Sequence, residues 1–98
     1  MEERNQLVER AMVQFETDNP LEVEKSLYVA AGMVLSVKNA GLPLDEVFIE
    51  RAASAVHDAW LARNRAHASE AEQKPYNELS EEDKEKDRIF VRRILTVV

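Results

Sequence analysis

The chain has no cysteine, two glycines, three prolines and one tryptophan in 98 residues. Without cysteine there is no disulfide, no thiolate nucleophile and no Cys-based zinc site, and His57 and His67 are the only imidazoles. Glycine and proline are too few to supply the turn every ~8–12 residues that a sandwich or barrel needs. No apolar run approaches the roughly 18 residues of a membrane span. The opening MEERNQLVER has acids where a signal peptide needs a basic end and an apolar stretch, so no membrane partner and a cytoplasmic location are expected. Also missing are a glycine-rich phosphate loop, a serine elbow and a His-Glu-x-x-His rhythm. A non-enzymatic protein without metal or cofactor is therefore expected.

What is present is 45% hydrophobic and 33% charged residues, the balance of a chain that folds around one core. Residues 1–98 read as a single all-α domain. Nineteen acids against thirteen bases give a net charge of −6, which disfavours a nucleic-acid partner. The imbalance is local: residues 1–50 hold ten acids and four bases, and residues 51–98 nine of each. An anionic ligand is better served by the second half.

Periodicity and stop signals predict four helices, near 3–16, 20–39, 44–66 and 80–95. Leu7, Val8, Ala11, Met12 and Phe15 make one stripe. Asp18-Asn19-Pro20 ends that helix and starts the next, because proline suits the first helical position. The second helix is apolar over more than half its circumference and is expected at the centre. Asn39-Ala40-Gly41 supplies a left-handed cap. Ser80 opens the last helix, followed by Glu81, Glu82 and Asp83 at the positive end of the macrodipole. The segment 67–79 lacks an apolar period and reads as an ordered loop across the domain. Leu27, Ala31, Val34, Val47, Ala55, Val56, Trp60, Ile89 and Phe90 are the expected core. The stripe on the first helix is surplus to it, which points to a homo-oligomer.

Three blocks in the second half carry a resemblance: His57-Asp58-Ala59-Trp60-Leu61-Ala62-Arg63-Asn64, then Pro75-Tyr76-Asn77-Glu78-Leu79-Ser80, then Lys84-Glu85-Lys86-Asp87-Arg88. Their order resembles the ryanodine receptor repeat domain, a small helical module with a His-x-x-Trp helix, a Pro-Tyr-x-x-Leu turn and a helix bearing Lys and Asp-Arg. The match runs from Val56 to Ile94. Only fourteen residues separate Trp60 from Pro75, without glycine or aromatic, where family members usually have a longer, Gly- and Trp-containing loop. The resemblance implies nucleotide sensing, and with it a small phage or bacterial protein that captures a signalling nucleotide.

On that reading the ligand lies where the third helix, the Pro75-Tyr76 turn and the last helix converge. Trp60 or Tyr76 stacks on a base, His57 bonds its edge or the ribose, and Arg63, Lys84, Arg88 and Arg92 take phosphates. Each residue also has a plainer role. Trp60 continues the Val56 stripe and packs, His57 ties the following loop to its helix, and the Lys84/Arg88/Arg92 face is a solvated one laced with Glu81, Glu85 and Asp87. The alternative is an interaction or self-assembly module in which the resemblance concerns the fold alone.

Overall fold

Three side-chain caps set the helix starts in a computed structural model that describes residues 2–98. Asn19 Oδ1 accepts from the Glu22 amide at 3.5 Å, Asp45 Oδ1 from Phe48 at 3.0 Å and Ser80 Oγ from Asp83 at 3.2 Å. The helices are α1 (Glu2–Met12), α2 (Pro20–Asn39), α3 (Glu46–Asn64) and α4 (Glu81–Val97), with one 3-10 turn at Tyr76–Glu78 and no strand among the described residues. The protein is an all-α four-helix domain. Proline opens α2 at its first turn. Gly41, at φ 72°, closes it: the Gly41 amide returns to the Lys38 carbonyl and the Leu42 amide to that of Val37, the paired bonds of a glycine-terminated helix.

Two boundaries differ from those the periodicity predicts. α1 stops at Met12 rather than 16, because the Gln14 and Phe15 amides turn back three residues instead of four. Phe15 still reaches the interior, stacking on Phe90 with ring centroids 5.5 Å apart. α3 begins at Glu46 rather than 44, since the Asp45 carboxylate caps it. The 3.6-residue period puts Phe48, Ile49, Ala52, Ala53 and Val56 on one buried side. Val47, expected in the core, is left 67% exposed on the opposite side.

Leu27, Ala30, Ala31 and Val34 of α2, Val56 of α3, and Val91 and Ile94 of α4 are almost fully enclosed. Of the remaining expected core residues, Ala55, Trp60, Ile89 and Phe90 are half-buried. The last helix turns Val91 inward between them. The apolar stripe of α1 is not surplus: Leu7, Val8 and Ala11 are buried in the same core. α2 packs against α1, α3 and α4, and α4 against α1, α2 and α3, so the two share the central position expected of α2 alone. No helix is long and apolar enough to cross a membrane among the described residues.

Candidate functional site

Asp87 and Arg88 are adjacent on α4, yet helical geometry turns them about 100° apart, so they meet α3 on two sides of the α3–α4 seam. Each carries its own polar cluster, and the two clusters divide the residues singled out in the sequence.

On one side is a cavity of about 270 Å³. α2 lines it with Glu22, Val23 and Ser26, α3 with His57 and Trp60, and α4 with Asp83, Lys86, Asp87 and Phe90; Thr17, Asn19, Glu72 and Leu79 complete the wall. His57 is buried, with Nε2 2.8 Å from the Lys74 carbonyl and Nδ1 3.5 Å from Asp87 Oδ2. A carbonyl only accepts, so Nε2 carries a proton. Nδ1 and the carboxylate then make a favourable contact when a further proton lies between them, on the ring or on the acid. Burial pushes the Asp87 carboxyl up to about 6; the charge of His57 opposes this, Asp83 adds to it, and smaller effects come from Lys86 and Asp58. No described residue gives Asp87 a hydrogen bond of charge-assisted length, about 2.7–2.9 Å. His57 at 3.5 Å is its polar neighbour.

The Trp60 ring lies close to the His57 imidazole, with planes 14° apart and centroids 6.5 Å apart. Arg63 stands next to the cavity rather than in its wall, 3.4 Å from Glu22 Oε2 and 3.3 Å from Ser26 Oγ. Asn64 donates to Glu22 Oε1 at 2.8 Å. That bond, aided by the charge of Arg63, holds the Glu22 carboxyl below its ordinary range despite some desolvation. The segment between α3 and the 3-10 turn is tied down by two reciprocal bonds between Ser69 and Glu72, and by His57 through Lys74.

On the other side Arg88, its side chain 14% exposed, grips Glu50 of α3 with two parallel bonds, Nε to Oε2 at 2.6 Å and Nη2 to Oε1 at 2.8 Å. Tyr76 donates its hydroxyl to Glu50 Oε1 at 3.0 Å and accepts from Arg88 Nε at 3.1 Å. Arg88 also meets Glu81 at 2.9 Å. Lys84 lies over the Tyr76 ring, 5.6 Å from its centroid, and 3.7 Å from Glu81. The hydrogen bonds from Arg88 hold Glu50 below the usual carboxylate range and Arg88 firmly charged. Burial, then the acceptor Glu50, pushes the Tyr76 phenol up to about 12.

The structure thus brings His57 and Trp60 together at the cavity with Arg63 at its edge, and Tyr76, Lys84 and Arg88 together on the other side of the seam. Arg92 belongs to neither and pairs with Glu85 along α4. Sequence reasoning did not single out Asp87, Phe90 or the α2 residues Glu22 and Ser26 as site residues. Asp87 was within reach, since it lies four residues before Val91 on the inward stripe of α4. Glu22 was not, because an acid in a first turn reads as a partner of the helix dipole. Among the described residues no group of three His, Asp or Glu side chains is gathered to hold a metal ion. The chain matches no protein-family model, no curated protein and no solved structure.

Proposed function

We propose that the protein is a small non-enzymatic binding module for a nucleotide-derived ligand, held by its ring system in the cavity between α2, α3 and α4. The observation that carries this reading is the wall itself: the His57-x-x-Trp60 pair, on which the family resemblance rests, lines with Phe90 and Asp87 a space of about 270 Å³. That is slightly below the roughly 300 Å³ at which small-molecule sites begin, and suits a base or a nucleoside better than a whole nucleotide. Two aromatic side chains give stacking surface, and Ser26, Asn19 and Thr17 give neutral polar edges. Phosphates extend toward solvent past Lys86, which is itself 3.2 Å from Asp83. Arg63, Arg88 and Arg92 are occupied by Glu22, Glu50 and Glu85, so the grip falls on the base rather than on the phosphates.

Trp60 is the only tryptophan, so its fluorescence reports the cavity directly. Titration with adenosine, AMP, ADP and cyclic AMP, and with the guanine series, is expected to give saturable quenching by at least one series. It is expected to be lost in the Ser26→Leu variant, which fills the space from α2. Fluorescence unchanged by every nucleoside and nucleotide overturns the reading.

The completeness of the Arg88 cluster favours a second reading, an interaction module in which the blocks that carry the resemblance serve the fold. Its cations are spent on Glu50, Glu81 and Glu85. Arg88→Ala then lowers the melting temperature without any ligand being involved.

A further inference from the structure

Asp87 is a largely buried carboxylate of the α3–α4 seam whose one close polar side-chain contact is an imidazole at 3.5 Å. The residue is 9% exposed and lines the cavity. A buried carboxylate is normally paired and accepts several hydrogen bonds, because its desolvation is otherwise uncompensated. Arg88, one residue on, has that full set of partners. Asp87 has only His57, at 3.5 Å, and that imidazole is already committed through Nε2 to the Lys74 carbonyl. No side chain or backbone group of the described residues gives its carboxylate a short hydrogen bond, and it stands in the cavity wall.

We propose that Asp87 is the recognition carboxylate of the cavity, and that its ligand is a flat ring bearing N–H donors on one edge, an amidine or the amino edge of a heterocyclic base, sandwiched near Trp60 and Phe90. The inference rests on the cavity being a binding site and adds to that reading the polarity of what enters. A donor edge supplies the hydrogen bonds Asp87 lacks. A ligand presenting a carboxylate or phosphate to this wall meets Asp87, Asp83, Glu22 and Glu72, with Lys86 already 3.2 Å from Asp83. The charged groups facing Asp87 are His57 and Asp58 from α3 and Asp83 and Lys86 from α4, and Glu22 of α2 and Glu72 of the connecting segment share the cavity wall. Protonation of Asp87 removes an acceptor and the charge, so donor binding weakens as pH falls through about 6.

Three probes of equal shape test this: benzamidine, benzamide and benzoate, titrated by Trp60 fluorescence at pH 7.5 and pH 5. Expected is an order benzamidine, benzamide, benzoate, with benzamidine weakened several-fold, up to about tenfold, at pH 5 and at least about tenfold by Asp87→Asn. A readout free of substitution is the 13C shift of the Asp87 carboxyl in the wild-type protein: benzamidine is expected to move its titration to lower pH. Benzoate binding as tightly as benzamidine overturns the assignment, as does an Asp87 titration unmoved by saturating benzamidine. If adenosine binds wild type and Asp87→Asn equally, the cavity reading stands and the role of Asp87 falls. If neither adenosine nor any probe binds, both fall.

Discussion

The two sides of the α3–α4 seam are built from adjacent residues and the same helices, but they are finished differently. Around Arg88 the buried polar atoms have partners: a forked pair to Glu50, a hydroxyl from Tyr76 that both donates and accepts, and Glu81 at the rim. Around Asp87 a largely buried carboxylate is given one distant imidazole. A completed polar cluster stabilises one arrangement of the helices and leaves nothing for a ligand to add. An incomplete one costs stability, and a ligand that completes it recovers that cost. The difference separates a clasp from a site, although both contain residues of the types that bind nucleotides.

The largest effect is expected where the clasp is broken. Arg88→Ala leaves Glu50 without its fork and Tyr76 without its donor; because Glu50 is 41% exposed, water compensates in part, and the loss is put at about 2–3 kcal/mol by chemical denaturation. Arg88→Lys keeps the charge but not the two parallel bonds and falls between. The pH dependence has a defined sign. Glu50 has its folded-state pKa depressed below 4.5, so its contribution is present above that pH and is lost as pH falls through the lowered value. Wild type is expected to lose stability in that acid range faster than Arg88→Ala, which no longer has the interaction to lose. Tyr76→Phe keeps the buried ring and removes the hydroxyl, a smaller cost of about 1 kcal/mol.

How much of this could be read in the sequence differs between fold and site. The signals at Pro20, Ser80 and Gly41 are local, carried by two or three neighbouring residues, and they placed α2 and the start of α4 closely. Asp45 is a cap of the same kind, but Pro43-Leu44 ahead of it also looks like a helix start. Val47 is apolar, but it shares its helical face with Arg51 and Asp58, both exposed, and so lies outside the core. Trp60, Tyr76 and the cations could be identified as residues with chemical capacity. Their partners could not, because Glu22 lies 41 residues before Arg63 and Glu50 38 before Arg88, separations that no helical period connects. Sequence spacing placed Lys84, Arg88 and Arg92 on one face of a helix. Only the packing of α3 decides that Arg88 turns to Glu50 while Arg92 stays with Glu85.

Asp87→Asn probes the other half of the comparison and has the opposite expected sign. The folded-state pKa of Asp87 is raised from 3.8 to about 6, so ionised Asp87 opposes folding, and this penalty develops as pH rises from about 4 through 6. The asparagine amide can donate to His57 Nδ1 while Nε2 keeps the Lys74 carbonyl, with no charge buried. At pH 7.5 the variant is expected to melt at or above the wild-type temperature, by up to a few degrees, and the difference to disappear near pH 4. A loss comparable to that of Arg88→Ala would place Asp87 in a clasp of its own and remove the contrast. Stability retained together with lost benzamidine binding would sharpen it, since few substitutions of a buried charged residue leave a fold intact and abolish only a ligand.

The smallest effect is expected at Arg92, which the sequence places beside Arg88 in every respect: same charge, same helix, four residues on. Its guanidinium meets Glu85, and the two side chains are 45% and 47% exposed. Water competes for both partners, salt screens them, and holding two long side chains together costs rotamer entropy, so an exposed pair of this kind contributes about 0–0.5 kcal/mol. Arg92→Ala is therefore expected to leave the denaturation midpoint within about 0.5 kcal/mol of wild type, with any difference vanishing in 1 M salt. The fluorescence response of Trp60 to adenosine should also be unchanged, because Arg92 lines neither the cavity nor the Glu50 cluster. A measured loss near that of Arg88→Ala would mean that charge density along the face of α4, and not the completion of one cluster by α3, stabilises the fold. The neighbouring carboxylate would then differ from the arginine in degree and not in kind.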